Sequence, residues 1–564
     1  MLELVCGDPN SKEKDFKGAS YSRFVLPFAY KPERDASASA ATFYFDTQSP
    51  DDQLVRETYL TEETADVLFE RTRRMRLQGD VEHWDVTVKV RDGQALAVRI
   101  AKPWLVLFEC PDRPEDNPGD LLCTGFLLVE LYFPEAQGGR PNLDDLLEVN
   151  ELFRYWQSPF PKHAGEKGYK HLLADVPLKL ADSGSPLIKD SPVAKIYFER
   201  WASFLELPIK MGQETWRLFP PQWGEDAWAW VMRHQQLSAE TENTNPQSRG
   251  WAVYADGRAF VWTCALMEKG GHQLQKTFGK LGFEESWHFG HWIKLLNVDQ
   301  PKSSTHETHN SSRFEQDWAK QRTYLRWAEL GTFYGFAYHG GAMLAAPMDE
   351  PPLWRHFGQM YFDQVLLLLY LRVTLFRFST RLNEISSAAM KPSGHARDNR
   401  EWLGQFQQLR WAFMHFTNLY QFPLISNQQQ GIEMYSLARK VMDVEELYRE
   451  IKEEIHNAND YLTAKTTMKL TEVATIVLPI VLASSLLGMN LFSADEWWSW
   501  ILLLLLFIGI VMVGYLKLIP YMTGKKLSDM CGSNCCLPCL KDFVEQRLDK
   551  LKKFFCGHTS KGTD

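Results

Sequence analysis

Two long stretches near the C-terminus carry no charged side chain, and they constrain the fold more than any other feature. The first runs from Val473 to Ala494 and the second from Trp497 to Leu516, with only Asp495 and Glu496 between them. A helix needs about 20 apolar residues to cross the hydrocarbon core, so each stretch is expected to span a bilayer. The connection is too short for a folded domain, which makes the pair a membrane hairpin with the rest of the chain on one side. Lys465 and Lys469 precede the first span, and Lys517, Lys525 and Lys526 follow the second. The positive-inside rule then places both flanks in the cytoplasm and the acidic loop outside. The expectation is a multi-pass protein of the inner (plasma) membrane with cytoplasmic N- and C-termini. No charged-then-apolar signal segment opens the chain, since Met1 to Phe16 is polar and mixed in charge.

Only this segment is membrane-like. The chain has 564 residues, a formal net charge of −9 and a mean hydropathy of −0.32. Its length corresponds to two to four domains of soluble mass. The expected fold class is α+β. Residues 1–350 read as a cytoplasmic α/β region with a subdomain break near 230, and residues 351–472 as a helical bundle and stalk. Residues 473–517 form the hairpin, and residues 518–564 a Cys-rich cytoplasmic tail. Within the first region, Trp84 to Val90 alternates as a half-buried strand does, and Asp92-Gly93 suits a turn into Leu96 to Ile100. Leu105 to Cys110 and Phe126 to Phe133 are further strands, and Asp144 to Tyr155 is a helix. Trp251 to Tyr254 and Arg258 to Cys264 suggest a hairpin about Asp256-Gly257. The polar stretch from Asp299 to Arg313 reads as a linker.

Leu353 to Met390 reads as one long helix, buried because Val365 to Leu371 is apolar but too short to span. A second helix runs from about Arg400 to Tyr420. A last one starts near Gln429, with Leu437, Val441, Val444, Tyr448, Ile451, Ile455, Ala458 and Leu462 stepping by four and three. That stripe is coiled-coil-like. No Pro or Gly interrupts it before Pro479, so one unbroken helix is expected from Gln429 into the first span, to Leu487.

The first span closes on Gly488-Met489-Asn490. A long stalk helix, a first span ending in Gly-Met-Asn, a short loop and a second span at the C-terminus together resemble the CorA-like metal ion transporters, the two-transmembrane GxN superfamily. The resemblance is carried by residues 430–517, including the run Met468 to Pro479. It implies a homopentamer with its first spans around a central pore, passing Mg²⁺ or a similar divalent cation. Gly488, Met489 and Asn490 would then form the selectivity filter. Asn490 amides would bond the hydration shell of an ion that sheds water reluctantly. The implied pore lining is Leu470, Ala474, Leu478, Val481 and Ser485, with Leu470 and Leu478 as an apolar constriction. The same residues also suit helix packing alone. Asp495 and Glu496 would concentrate cations at the mouth, or simply keep the loop solvated. The chain departs from the family in its loop, which lacks Pro, in its long tail and in its oversized cytoplasmic region.

The stalk is acidic. Glu446, Glu450, Glu453 and Asp460 are candidates for a regulatory divalent site, since hard cations want carboxylate oxygens. A solvated helix face is the plainer reading, and Arg449 and Lys452 partly neutralise it. Nine cysteines are present. Cys6, Cys110, Cys123 and Cys264 are expected to be reduced thiols. Cys531, Cys535, Cys536 and Cys539 crowd as Zn²⁺ ligands do, although the spacing matches no standard finger. A metal knuckle, free thiols and acylation stay open there.

No Walker loop, dinucleotide fingerprint or Gly-x-Ser-x-Gly is present, and no enzyme activity is expected. His339-Gly340-Gly341 reads as a tight turn. The leading functional expectation is a divalent cation channel gated from its cytoplasmic region, with the bilayer and four further copies as partners. The first alternative is a ligand-gated membrane effector of the kind associated with type III CRISPR defence. Its N-terminal region would bind a small molecule, for instance a nucleotide second messenger. The second alternative is a membrane-tethered scaffold. No direct nucleic acid partner is expected.

Overall fold

The computed structural model describes residues 3–9, 18–30, 33–34, 43–45, 56–78, 83–89, 95–108, 123–134, 140–154, 208–211, 213–217, 259–268, 288–299, 313–346, 353–390, 396–420, 424–488 and 509. Its centre is a sheet. Strands β1 (Tyr21–Tyr30), β2 (Thr72–Leu77), β3 (Trp104–Phe108), β4 (Cys123–Tyr132), β5 (Phe260–Leu266), β6 (Phe333–Phe336) and β7 (Gly340–Ala345) lie in the order β6-β7-β5-β1-β4-β3-β2. Neighbours are antiparallel except β5 and β7, which run parallel with Val261 opposite Gly340. The hairpin His83–Lys89 and Ala95–Ala101 joins at β4 through Arg99 and Ile100.

Every residue of β4 is buried, which explains why its run Phe-Leu-Leu-Val does not alternate. Both faces of the sheet centre are covered. On one face helix α1 (Leu143–Arg154) packs Leu146, Leu147 and Phe153, with the Phe153 ring 6.0 Å from that of Phe24. On the other, Trp262 of β5 stacks on Phe357 at 3.9 Å and Phe108 of β3 on Tyr370 at 4.1 Å. Helices α2 (His288–Asn297) and α3 (Arg313–Lys320) lie in the crossover from β5 to β7. Gly341 of β7 is required by packing. A Cβ there would sit 2.3 Å from the Trp262 ring.

The segment from Leu353 is helical as expected but not uniform. A π turn, Phe357–Tyr361, separates the short turn Leu353–His356 from α4 (Phe362–Met390). The Arg23 guanidinium donates to the Gly358 carbonyl inside this turn. A carbonyl drawn to a side chain fits the wider winding there. Helix α5 (Ala396–Tyr420) packs on α4 through rings such as Phe378 and Phe413, 5.3 Å apart and perpendicular.

The expected unbroken helix from Gln429 is two helices, α6 (Gln429–Val441) and α7 (Val444–Gly488). The break falls at Met442-Asp443, where Asp443 has a φ of 54°. Asp tolerates this left-handed region better than most residues, so the chain turns there without Gly or Pro. Contacts divide the chain into two units, Met1–Glu453 and Glu454–Asp564.

The transmembrane hairpin is corrected. Among the described residues no helix is long and apolar enough to cross a membrane. Within the described part of α7 the uncharged stretch runs from Val473 to Gly488, fewer than the roughly 20 apolar residues a crossing needs. The α+β hairpin architecture, the channel and the multi-pass inner-membrane placement therefore give way to a mixed α/β fold built on a large sheet. The second expected span, Trp497 to Leu516, lies outside the described residues apart from Gly509.

Candidate functional site

The charges at the interface between the sheet and α4 are buried and paired. Asp363, at the start of α4, is fully buried and accepts from Arg56 Nε at 2.7 Å and from Arg74 Nη2 at 2.9 Å. Burial alone would raise the Asp363 carboxyl, but Arg56 and Arg74 outweigh it and hold it below its ordinary range. Arg23 of β1 donates to Glu130 of β4 at 2.6 Å, and Glu130 overrides burial to keep the guanidinium charged. The charges of this interface are engaged with one another.

Where α7 begins, the same unit is open. A cavity of about 230 Å³ is lined by Tyr338, Arg372, Phe376, Met442, Asp443, Glu446, Leu447 and Glu450. Three pieces of the fold converge there. The turn between β6 and β7 supplies Tyr338. Helix α4 supplies Arg372 and, one turn on, Phe376. The α6–α7 break supplies Met442 and Asp443, and the first turns of α7 supply Glu446, Leu447 and Glu450, which share a face at spacings of three and four.

The sequence accounts for each piece. Ala337 N–H donates to the Gly340 carbonyl at 2.7 Å and closes the turn that carries Tyr338. Arg372 Nη1 donates to the Tyr338 carbonyl at 2.7 Å, and its guanidinium carbon lies 4.0 Å from the Tyr338 ring centroid. Arg372 is only 1% exposed. Leu447 N–H donates to the Asp443 carbonyl at 3.0 Å and starts α7. Burial lowers the Arg322 guanidinium and the nearby Asp443 carboxylate opposes that shift, so Asp443 has a cation within electrostatic reach. Helix α6 is anchored separately. Its Glu433 accepts from the Tyr324 hydroxyl and from Arg326 Nη1 at 3.1 Å. Burial, then the bond to Glu433, pushes Tyr324 up to about 12.

Of the acids singled out in the sequence, the structure brings Glu446 and Glu450 to one cavity. It leaves Glu453 and Asp460 further along α7, with Asp460 3.4 Å from His456. Among the described residues no group of three His, Cys, Asp or Glu side chains could hold a metal ion. Leu470, Ala474, Leu478, Val481 and Ser485 are all exposed on α7, and Gly488 is its last described residue. The Thr471 and Thr475 hydroxyls donate to the carbonyls of Thr467 and Thr471 at 2.9 and 2.7 Å, so their own helix backbone satisfies them. Met489, Asn490, Asp495, Glu496, Cys531, Cys535, Cys536 and Cys539 lie outside the described residues. Cys6 and Cys264 are free thiols, whereas Cys123 is disulfide-bonded, contrary to the expectation for it.

Sequence reasoning missed Tyr338 and Arg372. Arg372 had a signal: it is the one charged residue in the apolar run from Val365 to Leu375. Such a residue on a buried helix marks a polar neighbour. Compared with protein-family models, curated proteins and solved structures, the chain matches none.

Proposed function

We propose that this protein is a ligand-responsive effector. A small molecule binds where α7 begins, and α7 carries the response. The observation that supports this reading is the cavity at the α6–α7 break, because its walls come from the sheet, from α4 and from α7 itself. A ligand there touches the fixed part of the fold and the base of the long helix together, so it can favour one setting of that helix over another. It shifts the balance only by its difference in affinity for the two settings. The resemblance of the α7 sequence to the stalk of CorA-like proteins, which respond to bound ligands, is a second support. The metal ligand set of that family forms no part of the proposal.

Filling the cavity tests the reading without knowing the ligand. Trypsin cleaves a helix only when it opens locally, so cleavage rates report local stability. In Leu447→Trp, cleavage after Arg449 and Lys452 is expected to slow, and the change is expected to extend to Lys465 and Lys469 on the same helix. Cleavage that changes at Arg449 and Lys452 but not at Lys465 or Lys469 would show that α7 carries nothing onward.

A further inference from the structure

The chemistry of the cavity narrows its ligand. A volume of about 230 Å³ equals roughly eight waters at about 30 Å³ each, too roomy for a bare ion and near the lower end for small organic ligands. The carboxylates also fail to converge as metal ligands among the described residues. Polar recognition there is one-sided. Asp443, Glu446 and Glu450 are exposed, whereas the cation in the lining, Arg372, is 1% exposed and covered by Tyr338; Arg322, outside the lining, lies within electrostatic reach of Asp443 and leaves Glu446 and Glu450 as the main anionic pair. Arg449 approaches Glu446 at 3.4 Å, but both side chains are about two-thirds exposed, so that pair is weak and easily exchanged. Glu450 has no ion-pair partner among the described residues. The remaining walls, Phe376, Met442 and Leu447, are apolar, and the Phe376 ring is 38% exposed.

We infer that the cavity takes a small organic cation, an amine with an apolar body. Its ammonium group sits between Glu446 and Glu450, and its body lies against Phe376, Met442 and Leu447. An ammonium near the Phe376 ring gains a cation–π contact that a neutral group lacks. This inference rests on the proposed ligand-responsive reading, since it names the ligand class of that same cavity.

The test is calorimetric titration of the full chain with 2-phenylethylamine, 2-phenylethanol, phenylacetate and MgCl₂. The amine is expected to bind about tenfold more tightly than the alcohol, a difference of ~1.4 kcal/mol. Phenylacetate and Mg²⁺ are expected not to compete. The surface change Glu446→Gln with Glu450→Gln, which leaves the core untouched, should remove that preference, and Leu447→Trp should abolish binding. Equal binding of amine and alcohol, tighter binding of phenylacetate, or no amine binding at millimolar concentration would overturn the inference. The ligand-responsive reading is judged separately, by trypsin with the cavity filled. An amine that binds but leaves cleavage at Lys465 and Lys469 unchanged would uphold the ligand class and overturn the response along α7.

Discussion

The interface between the sheet and α4 and the start of α7 handle charge in opposite ways. At the first, Asp363 sits in full burial between Arg56 and Arg74, and Arg23 is held by Glu130 and the Gly358 carbonyl. At the second, three carboxylates stand exposed around a cavity whose guanidinium is turned into the protein against Tyr338. Buried charges must be paired because desolvation is expensive, and once paired they leave nothing over for a ligand. Exposed carboxylates beside an apolar hollow are under no such constraint. The difference separates a part of the molecule that holds the fold from a part that can answer to something outside it.

The largest expected break in that comparison is at Asp363. Asp363→Ala leaves the buried Arg56 and the half-buried Arg74 without their carboxylate and is expected to destabilise by ~3 kcal/mol. Glu450→Ala, at the open region, is expected to change stability by less than about 0.5 kcal/mol. Urea unfolding of both variants checks the pair, and similar losses would erase the distinction.

Acid should act on the same carboxylate. Its folded pKa lies below the unfolded value of about 3.9, so its stabilisation is fully present above that pH. It is lost as the pH falls through the folded pKa. Wild type should therefore lose stability steeply below about pH 4, and Asp363→Asn should show a shallower decline. Parallel declines would remove Asp363 from the account.

Gly341→Ala forces a Cβ against the Trp262 ring and is expected to destabilise by ~1–3 kcal/mol, read as a lowered melting temperature. Asp443→Gly is expected to stabilise by about 0.5 kcal/mol, because the left-handed φ there strains a residue with a Cβ. Arg449→Ala breaks only an exposed pair and should change stability by less than about 0.5 kcal/mol.

Much of the sheet was legible. The strand expected over Trp84 to Val90 forms over His83–Lys89, and Leu105, Phe126 and Asp144 each begin or lie within the element expected of them. Local alternation and apolar runs suffice for that. The strand expected over Arg258 to Cys264 forms as β5, paired with β1 and β7, more than 70 residues away in either direction, while its expected hairpin partner, Trp251 to Tyr254, lies outside the described residues. Pairings of that range leave no local mark. The break at Asp443 was hidden for a different reason, since the coiled-coil stripe runs through it and neither Gly nor Pro announces it. The hairpin is not supported because hydropathy measures apolar length along the chain, while a crossing needs that length within one helix, and no helix among the described residues supplies it. The cavity itself was half visible. Its acids stood out as a charged run, but Tyr338 and Arg372 join them only through the tertiary fold.

The contrast between the two regions can be measured directly by native-state hydrogen exchange. Amides of Leu366 to Leu371 in α4 are expected to exchange only through global unfolding. Those of Leu447 to Ile451 in α7 are expected to exchange through local opening, at a lower free energy and with little dependence on denaturant. Leu447→Trp should raise protection in α7 alone. If both sets exchange in step in wild type, and filling the cavity leaves their ratio unchanged, the start of α7 is no more adjustable than the core, and the ligand-responsive account fails.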